Sequence, residues 1–221
     1  MLTVNAESVT ALEQKLLVAA GAQLDSGDWQ DAGGVSLDPD TSILSLAKCD
    51  ILDGLAKEIQ VVDTVAFTPM GDHRMSAGFV TTVGAFSRVI TRKLGADALR
   101  GKDVAILGGG ALAACALAVA VEFSAAEIFV VSPPRGGPGS AVTAAHRLGV
   151  DITAMPSASA ADLSEEIIIT AENELALHSS VGDVDWTEVL VARVVDQLRL
   201  FTGVNPDENQ LLAVAQAAVD N

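Results

Sequence analysis

The stretch KDVAILGGGALAACALAVAVEFSAAEIFVV, residues 102–131, decides the fold. An apolar run of strand type leads into three consecutive glycines, a long apolar run favours a helix, and a second strand-like run ends the stretch. Glycine at such a corner lets the backbone turn sharply and approach a pyrophosphate, while N–H groups at the helix start face its charge. Gly108, Gly110 and Ala113 give G-x-G-x-x-A, a permitted form of the dinucleotide-binding fingerprint. The corner therefore predicts either a dinucleotide site or merely a tight turn with close helix–sheet packing.

The residues before this unit predict a second, smaller α/β layer. Strands are expected at 42–46 and 60–67, and a turn after residue 68 predicts a hairpin whose second strand, 75–83, returns beside the first. The segment 27–40 is rich in Gly, Asp and Pro and is expected to be a loop. A helix at 85–94 then leads towards the central unit.

The residues after the unit continue the alternation of strands and helices. A helix is expected at 140–148, followed by short strands at 151–153 and 167–170. The polar segment 171–185 predicts a loop. Two helices, 186–201 and 206–219, end the sequence.

Composition limits the partners that the surface can bind. The net charge of −16, from 29 acidic and 13 basic residues, argues against nucleic acid and against an anionic membrane, because phosphates are repelled by most of the exterior. The longest apolar stretch, 111–121, is too short to span a bilayer, and no leader pattern opens the sequence, so we expect a cytoplasmic protein. Cys49 and Cys115 are expected to be reduced core thiols. The three histidines are scattered and predict no metal site.

Three segments resemble the shikimate dehydrogenase family. LRGKDVAILGGGALAACALA resembles the segment in which a basic residue precedes a strand and a G-x-G-G-A-A-type turn opens a helix. VVDTVAFTPMGDHRMSAGFVTTVGAF, residues 61–86, resembles the family's V-N-T-V strand, turn and N-T-D-x-x-G-F segment. QLRLFTG, residues 197–203, resembles the F-x-L-[WF]-T-G end of its closing helix. Order and spacing agree over residues 42–221, whereas the first 41 residues match poorly.

This resemblance and the order of elements predict an α/β fold. Residues 1–84 are expected to form a shortened substrate-type α/β domain, and residues 85–185 a Rossmann-like domain with a parallel sheet. Residues 186–221 are expected to be helices that return to the N-terminal domain. The segment after Ile169 is shorter than in the family, so a late strand and loop of the nucleotide domain are expected to be missing.

The resemblance also implies candidate substrate-side residues. The family places a lysine and an aspartate beside the substrate hydroxyl; Lys48 is the counterpart of the lysine, and Thr82 stands in place of the aspartate. Threonine cannot hold a proton as a carboxylate does, so acid–base chemistry would rest on Lys48. Asp63 replaces the asparagine of V-N-T-V, and Arg193 falls where the family has a glutamine facing the substrate. Each has a structural alternative: a surface lysine, an edge carboxylate, and an arginine bonded to an acidic neighbour.

The cofactor implied is NADP. NAD-specific sites end the second strand in Asp or Glu, whereas this strand ends in Val131 and Ser132. Arg135 can pair with a 2′-phosphate and Ser132 can donate to it, or Arg135 is an exposed loop residue.

Three functions follow as hypotheses. The first is NADP-dependent hydride transfer between 3-dehydroshikimate and shikimate, or a related small carboxylated cyclic alcohol. The second is a catalytically degenerate relative that acts as a nucleotide-binding, ligand-binding or regulatory protein. The third, suggested by the apolar final helix 211–219, is a ligand-binding partner in a homo-oligomer such as a homodimer, although such a stripe also fits a core.

Overall fold

The computed structural model describes residues 1–6, 8–133, 135–156 and 167–219. Its first sheet has six strands in the order β2-β1-β3-β5-β6-β4. Strands β1, β2 and β3 run parallel, β5 is antiparallel to both β3 and β6, and β4 is parallel to β6. The strand bounds are β1 Thr3–Asn5, β2 Gln23–Asp25, β3 Gly34–Ser36, β4 Ile51–Leu52, β5 Thr64–Met70 and β6 His73–Phe79.

The second sheet is built around the central unit. Its five strands have the order β11-β10-β7-β8-β9, and all neighbours are parallel except the β10–β11 hairpin. The bounds are β7 Val104–Leu107, β8 Ile128–Val131, β9 Thr153–Met155, β10 Ile167–Ala171 and β11 Leu175–Ser179. The predicted parallel α/β class is confirmed.

Seven α-helices and two 3-10 segments connect the described strands. The helices are α1 Ala11–Ala19, α2 Gly54–Ile59, α3 Thr81–Leu94, α4 Ala111–Glu122, α5 Ala141–Leu148, α6 Trp186–Thr202 and α7 Glu208–Val219, and the 3-10 segments are Trp29–Asp31 and Pro39–Lys48. Side-chain caps start several of them: Thr10 at α1, Asp53 at α2, Ser140 at α5 and Asp185 at α6 each accept a backbone N–H of the first turn.

The helix α4 is apolar on all sides because it is enclosed on all sides. Every residue from Ala111 to Ala120 is buried, and the helix packs between the sheet and the helices α3 and α5. Its many alanines let these neighbours approach closely. The central helix and the two strands beside it are confirmed where the sequence predicted them.

The strand predicted at 42–46 is wrong, because this segment lies in the 3-10 helix Pro39–Lys48. Asp38 accepts the N–H of Asp40, and Pro39 occupies the first turn, so the local chemistry starts a helical turn there. The predicted loop 27–40 is also partly wrong, since it contains the short strand β3, which pairs with both β1 and β5.

Two further predictions fail at element boundaries. The hairpin of β5 and β6 is confirmed, but its second strand ends at Phe79, and α3 begins at Thr81 rather than at residue 85. The side chain of Asp63 accepts the N–H groups of Thr81 and Thr82, so a residue from another element caps this helix. The segment 171–185 is not only loop, because β11 forms within it and pairs with β10.

Two hydrophobic clusters hold the elements together. The larger one joins α3, α4 and both sheets, and the smaller one lies between α1, α6 and α7. Leu211 and Ala215 of α7 are buried in the smaller cluster, so the apolar stripe of this helix is part of the core.

None of the described helices is long and apolar enough to cross a membrane.

We predict that Gly34→Ala destabilises the fold by about 1–3 kcal/mol, because the added methyl group would overlap the ring of Phe201 at the end of α6. Urea unfolding measures the change, and adding Phe201→Leu should recover part of it. Gly84→Ala is the matched control, since a methyl group there, on α3, meets nothing within 4 Å. It should stabilise the helix by about 0.5–1 kcal/mol. An unchanged stability of Gly34→Ala would contradict this packing.

Candidate functional site

The predicted dinucleotide corner forms where β7 turns into α4. Gly108 has a φ of 140°, and a Cβ atom there would overlap the carbonyl of Ala171 at the end of β10. A Cβ at Gly109 would lie 2.6 Å from the Oγ of Ser132. Gly108 is therefore required by its backbone conformation and by close packing against backbone, whereas the contact at Gly109 is with a side chain that can rotate. Ala113, the third small residue of the fingerprint, is fully buried on α4.

Gly110 differs, because the space that its missing side chain leaves opens toward charged groups. A Cβ there would lie 2.9 Å from Asp40 Oδ1 and 3.3 Å from Arg135 Nη1. Gly110 provides no side-chain cap for α4, and Asp40 Oδ1 instead accepts the Ala111 N–H at 3.1 Å. Partial burial raises the pKa of the Asp40 carboxyl, although this hydrogen bond and the charge of Arg135 act in the opposite direction. An anion therefore already sits on the start of α4.

A cavity of about 260 Å³ lies in front of this corner. Arg135 is exposed, and the Ser132 hydroxyl donates to the carbonyl of Pro133 at 2.9 Å. A second cavity, about 350 Å³, shares Asp40 and Arg135 and extends towards the start of α5. The first cavity is lined by Asp40, Gly109, Gly110, Ser132, Pro133, Arg135, Ala171, Glu172 and Asn173.

The predicted substrate-side arginine lies inside the protein instead of at a cleft. Arg193 of α6 is 1% exposed, and its Nη1 donates to Glu13 Oε2 at 2.9 Å. Its Nη2 donates to the carbonyls of Leu37 and Asp63. Ser36 donates to Glu13 Oε1 at 2.6 Å, so both oxygens of that carboxylate are bonded. Arg193 therefore ties α6 to α1 and to the first sheet.

Asp63 holds the start of α3. Its Oδ1 accepts the N–H and the hydroxyl of Thr81, each at 2.8 Å, and its Oδ2 accepts the Thr82 N–H at 2.8 Å. A carboxylate at a helix N-terminus is stabilised by the helix dipole. Thr82 is 0% exposed, and its Oγ1 has no hydrogen-bond partner among the described residues. The Nε of Arg193 lies 3.9 Å from Asp63 Oδ2, so this cap and the arginine form one cluster.

The cluster places two carboxylates around one guanidinium. Burial alone acts to lower the pKa of Arg193, but Glu13 and Asp63 outweigh it, and the pKa is raised. Burial raises the pKa of Glu13, against the lowering effects of Arg193 and Ser36, and the charge of Asp63 raises it further. Burial is therefore the effect that dominates the pKa of Glu13, in spite of its ion pair with Arg193.

Lys48, the predicted acid–base residue, is exposed at the end of its 3-10 helix. Its Nζ lies 4.5 Å from the centroid of the Trp29 ring, a cation–π contact. Both residues line a cavity of about 550 Å³ together with Gly27 and Asp28. Lys48 thus faces a different cavity from the glycine corner.

The structure brings the predicted residues together in two places and leaves one apart. Asp63, Thr82 and Arg193 share one buried cluster, the predicted cofactor residues share one corner, and Lys48 lies on Trp29. Sequence analysis missed Asp40 and Glu13, because nothing in the local sequence shows which distant partner a carboxylate reaches. No group of His, Cys, Asp and Glu residues suited to a metal is found in the described parts of the chain.

Comparison with solved structures identifies this architecture. Quinate dehydrogenase from Corynebacterium glutamicum, in complex with NAD, has a TM-score of 0.75 and 13% identity, over 98% of each chain. Shikimate 5-dehydrogenase from Thermus thermophilus, in complex with NADP(H) and shikimate, has a TM-score of 0.70 and 18% identity, over 99% of this chain and 100% of that chain. The chain has the shikimate dehydrogenase fold. The 5-ketofructose reductase of Gluconobacter sp. strain CHM43 is also similar, with a TM-score of 0.68 and 16% identity over 98% of each chain.

These comparisons confirm, at the level of the fold, the resemblance seen in the sequence. No protein-family model and no curated protein matches the sequence. The structural neighbours belong to a family of oxidoreductases, and at identities of 13–18% they show the fold that this divergent chain shares with them. The shikimate dehydrogenase fold thus has an open glycine corner here, and a closed cluster at the positions predicted for substrate.

We predict that Arg193→Ala lowers the free energy of unfolding by about 3–5 kcal/mol, because it leaves the buried carboxylates of Glu13 and Asp63 without their cation. Chemical denaturation measures the loss. Arg199→Ala is the matched control, since Arg199 is exposed on the same helix, and its removal should change stability by less than about 0.5 kcal/mol. A similar, small effect of both changes would contradict a structural role for Arg193.

We also predict that Glu13 titrates above its ordinary pKa of 4.5 in the folded protein. Because the folded-state pKa is the higher one, this proton stabilises the fold fully below the unfolded pKa, and the contribution is lost as pH rises through the folded pKa. Carbon-13 NMR of the Glu13 carboxyl measures the midpoint directly. A Glu13 midpoint at or below 4.5 would show the prediction to be wrong.

Proposed function

We propose that this protein binds NADP(H) at the Gly110 corner and acts as a nucleotide-binding or ligand-binding protein of the shikimate dehydrogenase fold that has lost shikimate-type catalysis. One observation carries the proposal: a cavity of about 260 Å³ lies in front of the corner, whereas Asp63, Thr82 and Arg193 are each at most 1% exposed.

The residues at the corner fit a phosphate-bearing dinucleotide. The N–H of Ala111 already binds a carboxylate, that of Asp40, and Gly110 allows this anion and Arg135 to approach the start of α4. The strand β8 is followed by Ser132 and, further on, Arg135, a set that favours a 2′-phosphate over the free ribose hydroxyls. The Thermus thermophilus neighbour is in complex with NADP(H) and the Corynebacterium glutamicum neighbour with NAD, so they support a nicotinamide dinucleotide, and the choice of NADP rests on Ser132 and Arg135. Ala111, Ser132 and Arg135 would hold the phosphates of NADP(H), whose nicotinamide would supply or accept a hydride when a substrate is present.

The substrate side supports the loss of catalysis. Thr82 provides no carboxylate, and its hydroxyl is buried beside the cap that Asp63 makes. Arg193 is neutralised by Glu13 and bonded to two carbonyls, so it has little capacity left for an acidic substrate. A substrate would have to break this cluster in order to reach either residue.

A second candidate is NADP-dependent hydride transfer between 3-dehydroshikimate and shikimate, or a related small cyclic hydroxy acid. The exposed Lys48 favours it, since this side chain faces a cavity of about 550 Å³ and lies outside the buried cluster. In that case Lys48 moves the proton and the substrate lies near Trp29. The net charge of −16 supports a small-molecule partner over nucleic acid or membrane in both cases. A homodimer and a cytoplasmic location stay predictions.

We expect NADPH to bind with a dissociation constant in the micromolar to low millimolar range and more tightly than NADH, as measured by isothermal titration calorimetry. Arg135→Ala should reduce this preference for NADPH by about tenfold, because the 2′-phosphate loses its cation. Arg92→Ala is the control, since Arg92 lies on α3 and pairs with Glu208. If neither nucleotide binds at millimolar concentration, the proposal fails.

Turnover distinguishes the two candidates. We expect no oxidation of shikimate or quinate by wild type with NADP⁺. Thr82→Asp should not create activity, because the new carboxylate would be buried beside Asp63, which has the same charge. Measurable turnover that Lys48→Met abolishes would establish the second candidate instead.

A further inference from the structure

Asp40 occupies the place where the corner would hold a phosphate. Its Oδ1 accepts the N–H of Ala111, the first residue of the twelve-residue helix α4. The exposed N–H groups and the dipole at such a helix start attract negative charge, and a carboxylate meets both. The protein therefore provides its own anion at the centre of the candidate cofactor site.

The position of Asp40 is set by its own segment and not by the corner alone. Asp38 caps the 3-10 helix by accepting the N–H of Asp40 at 2.9 Å, and Pro39 stiffens the turn between them. This segment leads out of the first sheet, so Asp40 reaches across to α4 from a separate part of the fold. Displacement of Asp40 from Ala111 requires its side chain to rotate away from a backbone position that Asp38 holds.

The charges around the corner favour this self-contact. Arg135 attracts Asp40, so the one cation among the described residues that line the first cavity acts on an internal carboxylate. Glu172 lines the same cavity and adds a second negative charge. An incoming phosphate therefore meets two carboxylates, and the arginine that could bind it lies beside one of them. Coulomb repulsion from Asp40 opposes phosphate at this point.

We propose that Asp40 is an autoinhibitory residue, which competes with the cofactor's phosphates for the Ala111 N–H and for Arg135; this inference rests on the proposed NADP(H) site. Nucleotide binding and the Asp40–Ala111 contact then exclude each other. The ligand-free protein keeps the Asp40 side chain on the Ala111 N–H, and a bound nucleotide displaces it.

Calorimetric titration of NADPH, inorganic pyrophosphate and adenosine into wild type, Asp40→Asn and Asp40→Ala tests the inference. Both variants should bind NADPH and pyrophosphate about fivefold to tenfold more tightly than wild type, because the competing charge is gone. Adenosine, which has no phosphate, should show no gain. Asp103→Asn is the control for net charge, since Asp103 is exposed at the opposite end of β7, and it should leave all affinities unchanged. Circular dichroism melting verifies that each variant is folded.

The outcomes separate this inference from the proposed function. Binding of NADPH by wild type with equal or weaker binding by both Asp40 variants overturns the autoinhibitory role and leaves the nucleotide site standing. An equal gain for adenosine also overturns it, because Asp40 would then block space and not charge. Absence of nucleotide binding in wild type and in both variants overturns the site and the inference together. Binding by the variants alone supports autoinhibition and shows that the native chain keeps its corner closed.

Discussion

The buried ion pair between Arg193 and Glu13 is the interaction on which the rest of the first sheet depends. A charge that is withdrawn from water must be paired and hydrogen-bonded, and Arg193 meets this condition with Glu13, two carbonyls and, at 3.9 Å, Asp63. These partners come from α1, the segment after β3, and the segment before β5. The long helix α6 is therefore fixed against three separate parts of the chain by one side chain, and the start of α3 is fixed through Asp63.

This constraint explains the contrast between the two candidate sites. At the first sheet, the buried polar side chains form hydrogen bonds and ion pairs with one another. Few donors or acceptors are therefore left there for a ligand. At the second sheet, Gly110 and the strand ends leave a cavity that charged groups line but do not fill. The polar cluster at the first sheet thus stabilises the fold, whereas the glycine corner at the second sheet has the shape of a binding site. Asp40 links the two, since it leaves the first sheet and ends on the helix of the second.

Much of the architecture followed from the sequence, and the errors have a common cause. The unit around Gly108 and Gly110 could be predicted because strand, turn and helix signals there agree with one another. The start of α3 could not, since its cap is Asp63, which is 18 residues from Thr81. The strand β11 could not either, because five residues gain strand structure only by pairing with β10. In each case the hydrogen bonds that decide the structure join two different segments. Local sequence patterns describe each segment alone and do not show that the two will pair.

The sequence by itself determined the α/β class, the glycine corner and the resemblance to shikimate dehydrogenases, because backbone conformation and apolar periodicity are local properties. It also identified Thr82 and Arg193 as departures from the family pattern. Only the tertiary structure decided what these departures do: it buried Arg193 against Glu13, closed Asp63 onto the start of α3, and placed Asp40 on Ala111. The physical reason is that the environment of a charge depends on which distant groups surround it, and burial and long-range pairing exist only once the chain has folded.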